Sequence, residues 1–133
     1  MAVATLPSEA PQVETGFSTI ASLARRWAVE HPTNVAMREK DFGIWHEYTW
    51  AELWELVLDA AHGLLALGVD VGDRVSIHSE DRPEWVIVDF ATVAVRGITV
   101  GLYPTNPAAE VEYLLGDCSP ASTWRRIRSR STR

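Results

Sequence analysis

Three acidic residues, Glu80, Asp81 and Glu84, stand just after an apolar run, Val75-Ser76-Ile77-His78, that reads as a β-strand. Carboxylates gathered at the carboxyl end of a strand could trade a proton or hold a cation, and that edge is where α/β proteins bind ligands. Helix-start chemistry explains them more simply. Asp81 is placed to cap a helix, Pro83 fits the first turn, where its missing N–H costs nothing, and Glu84 stands three residues after Asp81 as in a capping box.

The other groups capable of chemistry are scattered. His31, His46, His62 and His78 share no ligand-like spacing, so no metal cluster is expected. Cys118, the single cysteine, excludes an internal disulfide and has nothing beside it that would lower its pKa. Trp45, Trp50 and Trp54 could form an aromatic platform for a sugar or base. Trp50 and Trp54 lie four apart, however, a spacing that packs side chains together on one helix face. Gly-x-x-x-x-Gly-Lys, Gly-x-Gly-x-x-Gly, Gly-x-Ser-x-Gly and His-Glu-x-x-His are all absent. No catalytic, cofactor-binding or metal-ligating residue is therefore assigned.

The elements that would position any site are clearer. From Asp73 to Thr105 the chain reads strand, helix, strand: Val75–His78, then Trp85–Val95, then Ile98–Tyr103 stopped by Pro104. Two strands joined by such a crossover lie parallel, and a helix apolar on nearly every side must be covered by protein. Arg96-Gly97 closes that helix, with the glycine expected to take the left-handed end.

Before this unit, a helical stripe from Phe17 through Ile20, Leu23, Ala24 and Trp27 stops before His31-Pro32 and should dock by its Trp27 face. Val35–Arg38 and Ile44–Tyr48 read as two strands joined across Lys40-Asp41-Phe42-Gly43. Thr49-Trp50-Ala51-Glu52 is a capping box, and its helix runs to about Leu67 before Gly68. After the unit, Asn106 and Pro107 open a last helix that Gly116 should stop.

Bulk properties fit one modest α/β domain. With 47% hydrophobic and 23% charged residues over a length of 133, neither disorder nor a membrane span is indicated. The first residues lack a basic, apolar leader, so a cytoplasmic location is the expectation. Charge is uneven: 18 acidic and 7 basic residues up to Cys118 leave a net of −11, whereas five arginines crowd the last nine positions. An arginine-rich end can bind nucleic acid, yet the acidic body and the lack of aromatics beyond Trp124 argue against that partner.

Two segments carry a resemblance. Tyr48-Thr49-Trp50-Ala51-Glu52-Leu53 resembles the first core motif of the adenylate-forming superfamily, and Arg96-Gly97-Ile98-Thr99-Val100-Gly101-Leu102-Tyr103-Pro104-Thr105 resembles its second. Gly68, Asp73-Arg74-Val75 and Arg82-Pro83-Glu84-Trp85 between them resemble the long-chain fatty acyl-CoA synthetase branch. The resemblance spans roughly Phe17 to Cys118. It implies a ligase family that joins a fatty acid to ATP with Mg²⁺, releases pyrophosphate and passes the acyl group to coenzyme A.

In that family the phosphate loop, the Thr-Glu pair, the ribose-binding Asp and the catalytic lysine lie downstream of this stretch. Thr49, Glu52, Gly97 and Pro104 are shaping residues, so the resemblance carries over no site residue and no cofactor to this chain. It implies a partial N-terminal AMP-binding domain over 17–118, after a flexible leader at 1–16, inactive alone, without a stable partner and with room for peripheral membrane contact. The rival reading is a small non-enzymatic α/β binding or scaffolding module.

Residues 119–133, rich in arginine and serine, are expected to form a disordered tail. One codon assignment for Arg125 to Arg133, read two bases on, encodes Glu-Asp-Gln-Glu-Gln-Val-Asp-Lys, the acidic continuation the family resemblance implies. A frameshift near codons 121 to 123 is therefore the expected origin of the tail. Sequencing the gene tests it, since the alternate frame should run on into the phosphate loop.

Overall fold

Alternating strand and helix signals produce alternating strands and helices. The computed structural model describes residues 19–125, and the expected leader at 1–16 and the residues from 126 on lie outside them. In chain order the elements are α1 (Ile20–Glu30), β1 (Val35–Asp41), β2 (Ile44–Thr49), α2 (Trp50–Ala66), β3 (Arg74–His78), α3 (Pro83–Ala94), β4 (Ile98–Leu102), α4 (Ala108–Cys118) and β5 (Ser122–Arg125).

The expected βαβ unit is present. β3 lies between β4 and β5, parallel to both, with Val75 opposite Thr99 on one side and Ser122 on the other. Val75, Ser76 and Ile77 are fully buried, the pattern of a strand covered on both faces. Val75 and Ile77 pack with Leu53, Val57, Val88 and Ala91 of α2 and α3. On the opposite face the Ser76 hydroxyl donates to Thr123 Oγ1 at 2.7 Å. Ser122–Arg125, expected to belong to a disordered tail, instead pairs with the open edge of β3, and residues 126–133 of that expected tail lie outside the described residues. Backbone pairing needs no apolar period, so this strand carries no hydrophobic signature.

Cap chemistry sets the helix ends. Thr19 and Ser22 form a reciprocal capping box, so α1 begins at Ile20, and Phe17, where the helical stripe was expected to open, lies outside the described residues. Its docking surface is Ala21 and Ala24, small residues that let the helices approach, while half-exposed Trp27 lies at the rim, 5.7 Å from Trp50 between ring centres. α2 ends in a Schellman motif: Val69 N–H donates to Leu64 O at 3.1 Å, Gly68 N–H to Leu65 O at 3.0 Å, and Gly68 takes φ +85.

The Thr49–Glu52 capping box forms as expected. Glu52 N–H donates to Thr49 Oγ1 at 3.3 Å, and the Glu52 carboxylate accepts from the Thr49 backbone N–H at 2.9 Å and its hydroxyl at 2.8 Å. These bonds, the backbone one foremost, hold the Glu52 carboxyl below its ordinary pKa. A depressed folded-state pKa gives stability that is fully present above the unfolded value and lost as pH falls through the folded one. Urea midpoints at neutral pH and near pH ~3.5 are thus expected to fall further in the native chain than in Glu52→Gln.

Both ends of α3 and both ends of α4 differ from expectation. The left-handed residue after α3 is Arg96, at φ +64, and Gly97 is demanded instead by close approach. A Cβ there would stand 3.0 Å from Thr92 Cγ2 and 3.2 Å from the Asp73 carbonyl oxygen. α4 is capped by Pro107 rather than Asn106, and it runs through Gly116 to a left-handed Ser119, φ +40. α3 starts at Pro83 with Arg82 as its N-cap, so Asp81 and Glu84 make no capping box. Proline at the first helical position moves the cap to the residue directly before it.

β1 and β2 form an antiparallel hairpin whose two-residue turn is Phe42-Gly43, shorter than expected. Both turn residues have positive φ, +46 and +83, as in a type I′ turn. Asparagine suits the first position far better than phenylalanine. Phe42→Asn is expected to raise stability by about 1 kcal/mol, seen as a higher urea midpoint with an unchanged slope.

Candidate functional site at the carboxyl edge of the parallel strands

The chain leaves β3 through Ser79-Glu80-Asp81 and β4 through Tyr103-Pro104-Thr105, and the two exits frame a crevice of about 520 Å³ with Trp85 in its wall. Ser79 is buried, and its hydroxyl donates to the Glu80 carbonyl at 3.1 Å. Glu80 and Asp81 are exposed on the lip.

Arg82 organises the neighbouring hollow of about 550 Å³ between β1 and the start of α3. Its Nη2 meets Glu39 Oε1 at 2.7 Å and its Nε meets Glu84 Oε2 at 3.4 Å. Both Arg82 and Glu39 are largely covered, at 22% and 18% side-chain exposure, so this pair clamps the hairpin to α3. Burial works against the Arg82 charge, but Glu39 and Glu84 outweigh it and raise its pKa. Burial first, then the charges of Glu39 and Glu84, raise the Tyr48 phenol. The acidic residues therefore part ways: Glu84 joins the Arg82 clamp, and Asp81 stays on the surface.

A third hollow, about 710 Å³, lies between α4 and the sheet, walled by His78, Leu102, Val111, Leu115 and Thr123. His78 Nε2 is buried there without a hydrogen-bond partner. α4 buries none of its residues completely, so it rests on this face rather than being packed into it.

The remaining candidates do not converge. Trp50 and Trp54 pack against the core, whereas Trp45 is exposed on the hairpin. His31 lies 4.6 Å from Trp27 between ring centres, His46 and His62 are exposed, and Cys118 is a half-buried thiol in the last turn of α4. Among the described residues no group of three or more His, Cys, Asp or Glu is placed to hold a metal ion.

Among the described residues, the cations that line these hollows have protein neighbours. Arg38 pairs with Glu47 at 2.7 Å, Lys40 lies over Trp45, and Arg82 holds its two carboxylates. A triphosphate needs positive groups aimed at it, and this edge presents carboxylates instead. What it supplies is wall and clamp. Sequence reasoning missed Arg82, because its partner Glu39 lies on another element and no local pattern joins the two.

The parallel α/β layer of this chain is shared with the N-terminal subdomains of adenylate-forming enzymes. The chain superposes on IdnL1 with a TM-score of 0.77 at 21% identity, covering 86% of this chain and 23% of that one. Acetoacetyl-CoA synthetase from Streptomyces lividans gives 0.73 at 33% identity, covering 77% of this chain and 16% of the enzyme.

With residues 24–124 matching the family of AMP-binding enzymes, the chain belongs to that family. Among relatives, the long-chain-fatty-acid–CoA ligase FadD15 of Mycobacterium bovis is 37% identical over 108 residues, 81% of this chain and 18% of the ligase. The mitochondrial medium-chain acyl-CoA ligase ACSF2 of Danio rerio is 35% identical over 98 residues, 74% of this chain and 16% of the ligase. The chain thus spans less than a fifth of these ligases. Among the described residues no helix is long and apolar enough to cross a membrane.

Proposed function

We propose that this chain carries the opening scaffold of an ATP-dependent long-chain fatty acid–CoA ligase and forms no acyl-adenylate by itself. The observation behind this reading is the 37% identity to FadD15 over 108 residues, with Arg38 and Arg82 beside the carboxyl edge paired to Glu47 and Glu39. In the complete ligase, ATP, Mg²⁺, a fatty acid and CoA are the reactants and cofactor. The groups that grip them belong to later parts of such an enzyme, and its location is the cytoplasm. Here α2, α3 and the parallel strands shape one wall of the adenylation domain, with Arg82 fixing the hairpin to it.

Two measurements test this. The isolated chain is expected to give no ATP–pyrophosphate exchange with palmitate and Mg²⁺, and exchange above background would refute the scaffold reading. FadD15 with residues 24–124 of this chain in place of its own matching segment is expected to make palmitoyl-CoA. A chimera that folds yet makes none would sink the family assignment of the scaffold's role.

A further inference from the structure

β5 is joined to α4 by a short reversal, Ser119-Pro120-Ala121, that works against the preferences of its own residues. β4 and β5 both run parallel to β3, so α4 between them runs the opposite way and the chain must turn back sharply before β5 can pair. Ser119 makes the turn, left-handed at φ +40 and ψ +62. A residue with a Cβ is disfavoured there, and the residue before a proline is pushed toward extended backbone. Both preferences ask Ser119 to straighten, and the observed turn holds it bent.

The bonds that seat β5 all belong to β3. Ala121 N–H donates to Arg74 O at 2.9 Å, Ser122–Arg125 adds the parallel ladder, and Thr123 Oγ1 accepts from the Ser76 hydroxyl at 2.7 Å. Ser119 itself is tied only backward into α4, through its N–H to Leu115 O at 3.0 Å and its hydroxyl to Gly116 O at 3.1 Å. A polar edge strand held by a backbone ladder and one hydroxyl pair is recognised equally well whichever copy of the chain supplies it.

We propose that β5 exchanges between two copies of this chain: Ser119 straightens, and Ser122–Arg125 of each copy fills the place beside β3 of the other. The direction of the chain suits this. With Ser119 extended, the backbone continues the way α4 was heading, opposite to its own strands, and a copy turned by a two-fold axis across the strands points its sheet that way. The ladder and the Ser76–Thr123 pair then form twice between the copies, and two left-handed serines are relieved. The inference does not rest on the ligase reading.

Sedimentation of the full 133-residue chain over a range of concentrations tests the exchange, and a cross-link places the strand. A dimer is expected whose share rises with concentration. Ser119→Gly accepts the left-handed turn without steric cost and is expected to weaken the dimer at least about tenfold, since two such turns re-form when it parts. For the cross-link, a Cys118→Ser chain carrying Ser76→Cys is co-expressed with a Cys118→Ser chain carrying Thr123→Cys, then oxidised. A disulfide joining one chain of each kind is expected, because the two positions lie side by side in the β3–β5 register. The proposal is overturned by a monomer at every concentration, or by a dimer that Ser119→Gly leaves unchanged. It is also overturned if the native dimer forms and the mixed disulfide does not, which would place the contact elsewhere. The glycine variant adds no thiol, so its comparison decides the proposal even if the cysteine chains do not fold.

Discussion

Ile77→Ala is expected to cost about 2–5 kcal/mol, a large share of what holds a domain of this size together. Ile77 is fully buried at the centre of the middle strand, with α2 and α3 against it and a neighbouring strand on either side. Removing its outer carbons leaves a cavity that three elements would have to close at once. With a urea slope of about 1–2 kcal/mol per molar, the midpoint should fall by roughly 2 M. Ile77→Val, which removes one methylene, should cost only about 1 kcal/mol. Equal effects of the two changes would show that this face of the sheet is not close-packed.

Gly97→Ala is the second large effect, and it works by crowding. Of the three atoms nearest the added Cβ, two are backbone carbonyl oxygens, those of Asp73 and Thr92, each at 3.2 Å. Neither can retreat freely: Thr92 O accepts from Gly97 N–H at 2.8 Å, and Asp73 O accepts from Ile98 N–H at 2.8 Å. The expected loss is about 2–3 kcal/mol, read as a fall in the urea midpoint. Adding Thr92→Ser removes the 3.0 Å contact with Cγ2 and keeps a hydroxyl to bond Val88 O, but leaves both carbonyl contacts. The double variant should therefore recover only part of the loss. Full recovery would show that the methyl group alone made the crowding.

What could be read from the chain and what could not divide along physical range. The Thr49–Glu52 box, Gly68 at the end of α2 and the apolar β3 run are signals written within a few residues, and each formed as read. The start of α3 was misplaced because Asp81 and Arg82 both precede Pro83, and the ring's fixed geometry, not side-chain capping ability, chose between them. The necessity of Gly97 comes from Thr92 in α3 together with Asp73, the residue before β3, and the Arg82–Glu39 clamp joins elements far apart in sequence. β5 was hidden because Ser122 and Thr123 earn their place through the backbone ladder and one hydroxyl pair. β3 and β4 were legible from their own residues, but the hollows at their carboxyl edge were not. Their walls are assembled from β1, α3 and α4, and no local pattern reports how those meet.

The strand order has a consequence for synthesis. A chain made from its first residue onward releases β3 early, and β4 follows after only one helix, so these two can zip while the rest is still being translated. β5 must wait for α4, and its Thr123 reaches back 47 positions to Ser76. During that interval one flank of the central strand stands vacant beside the ribosome. Any extended segment that arrives first competes for the slot, so the nascent chain is most exposed to mispairing between the completion of β4 and the release of β5.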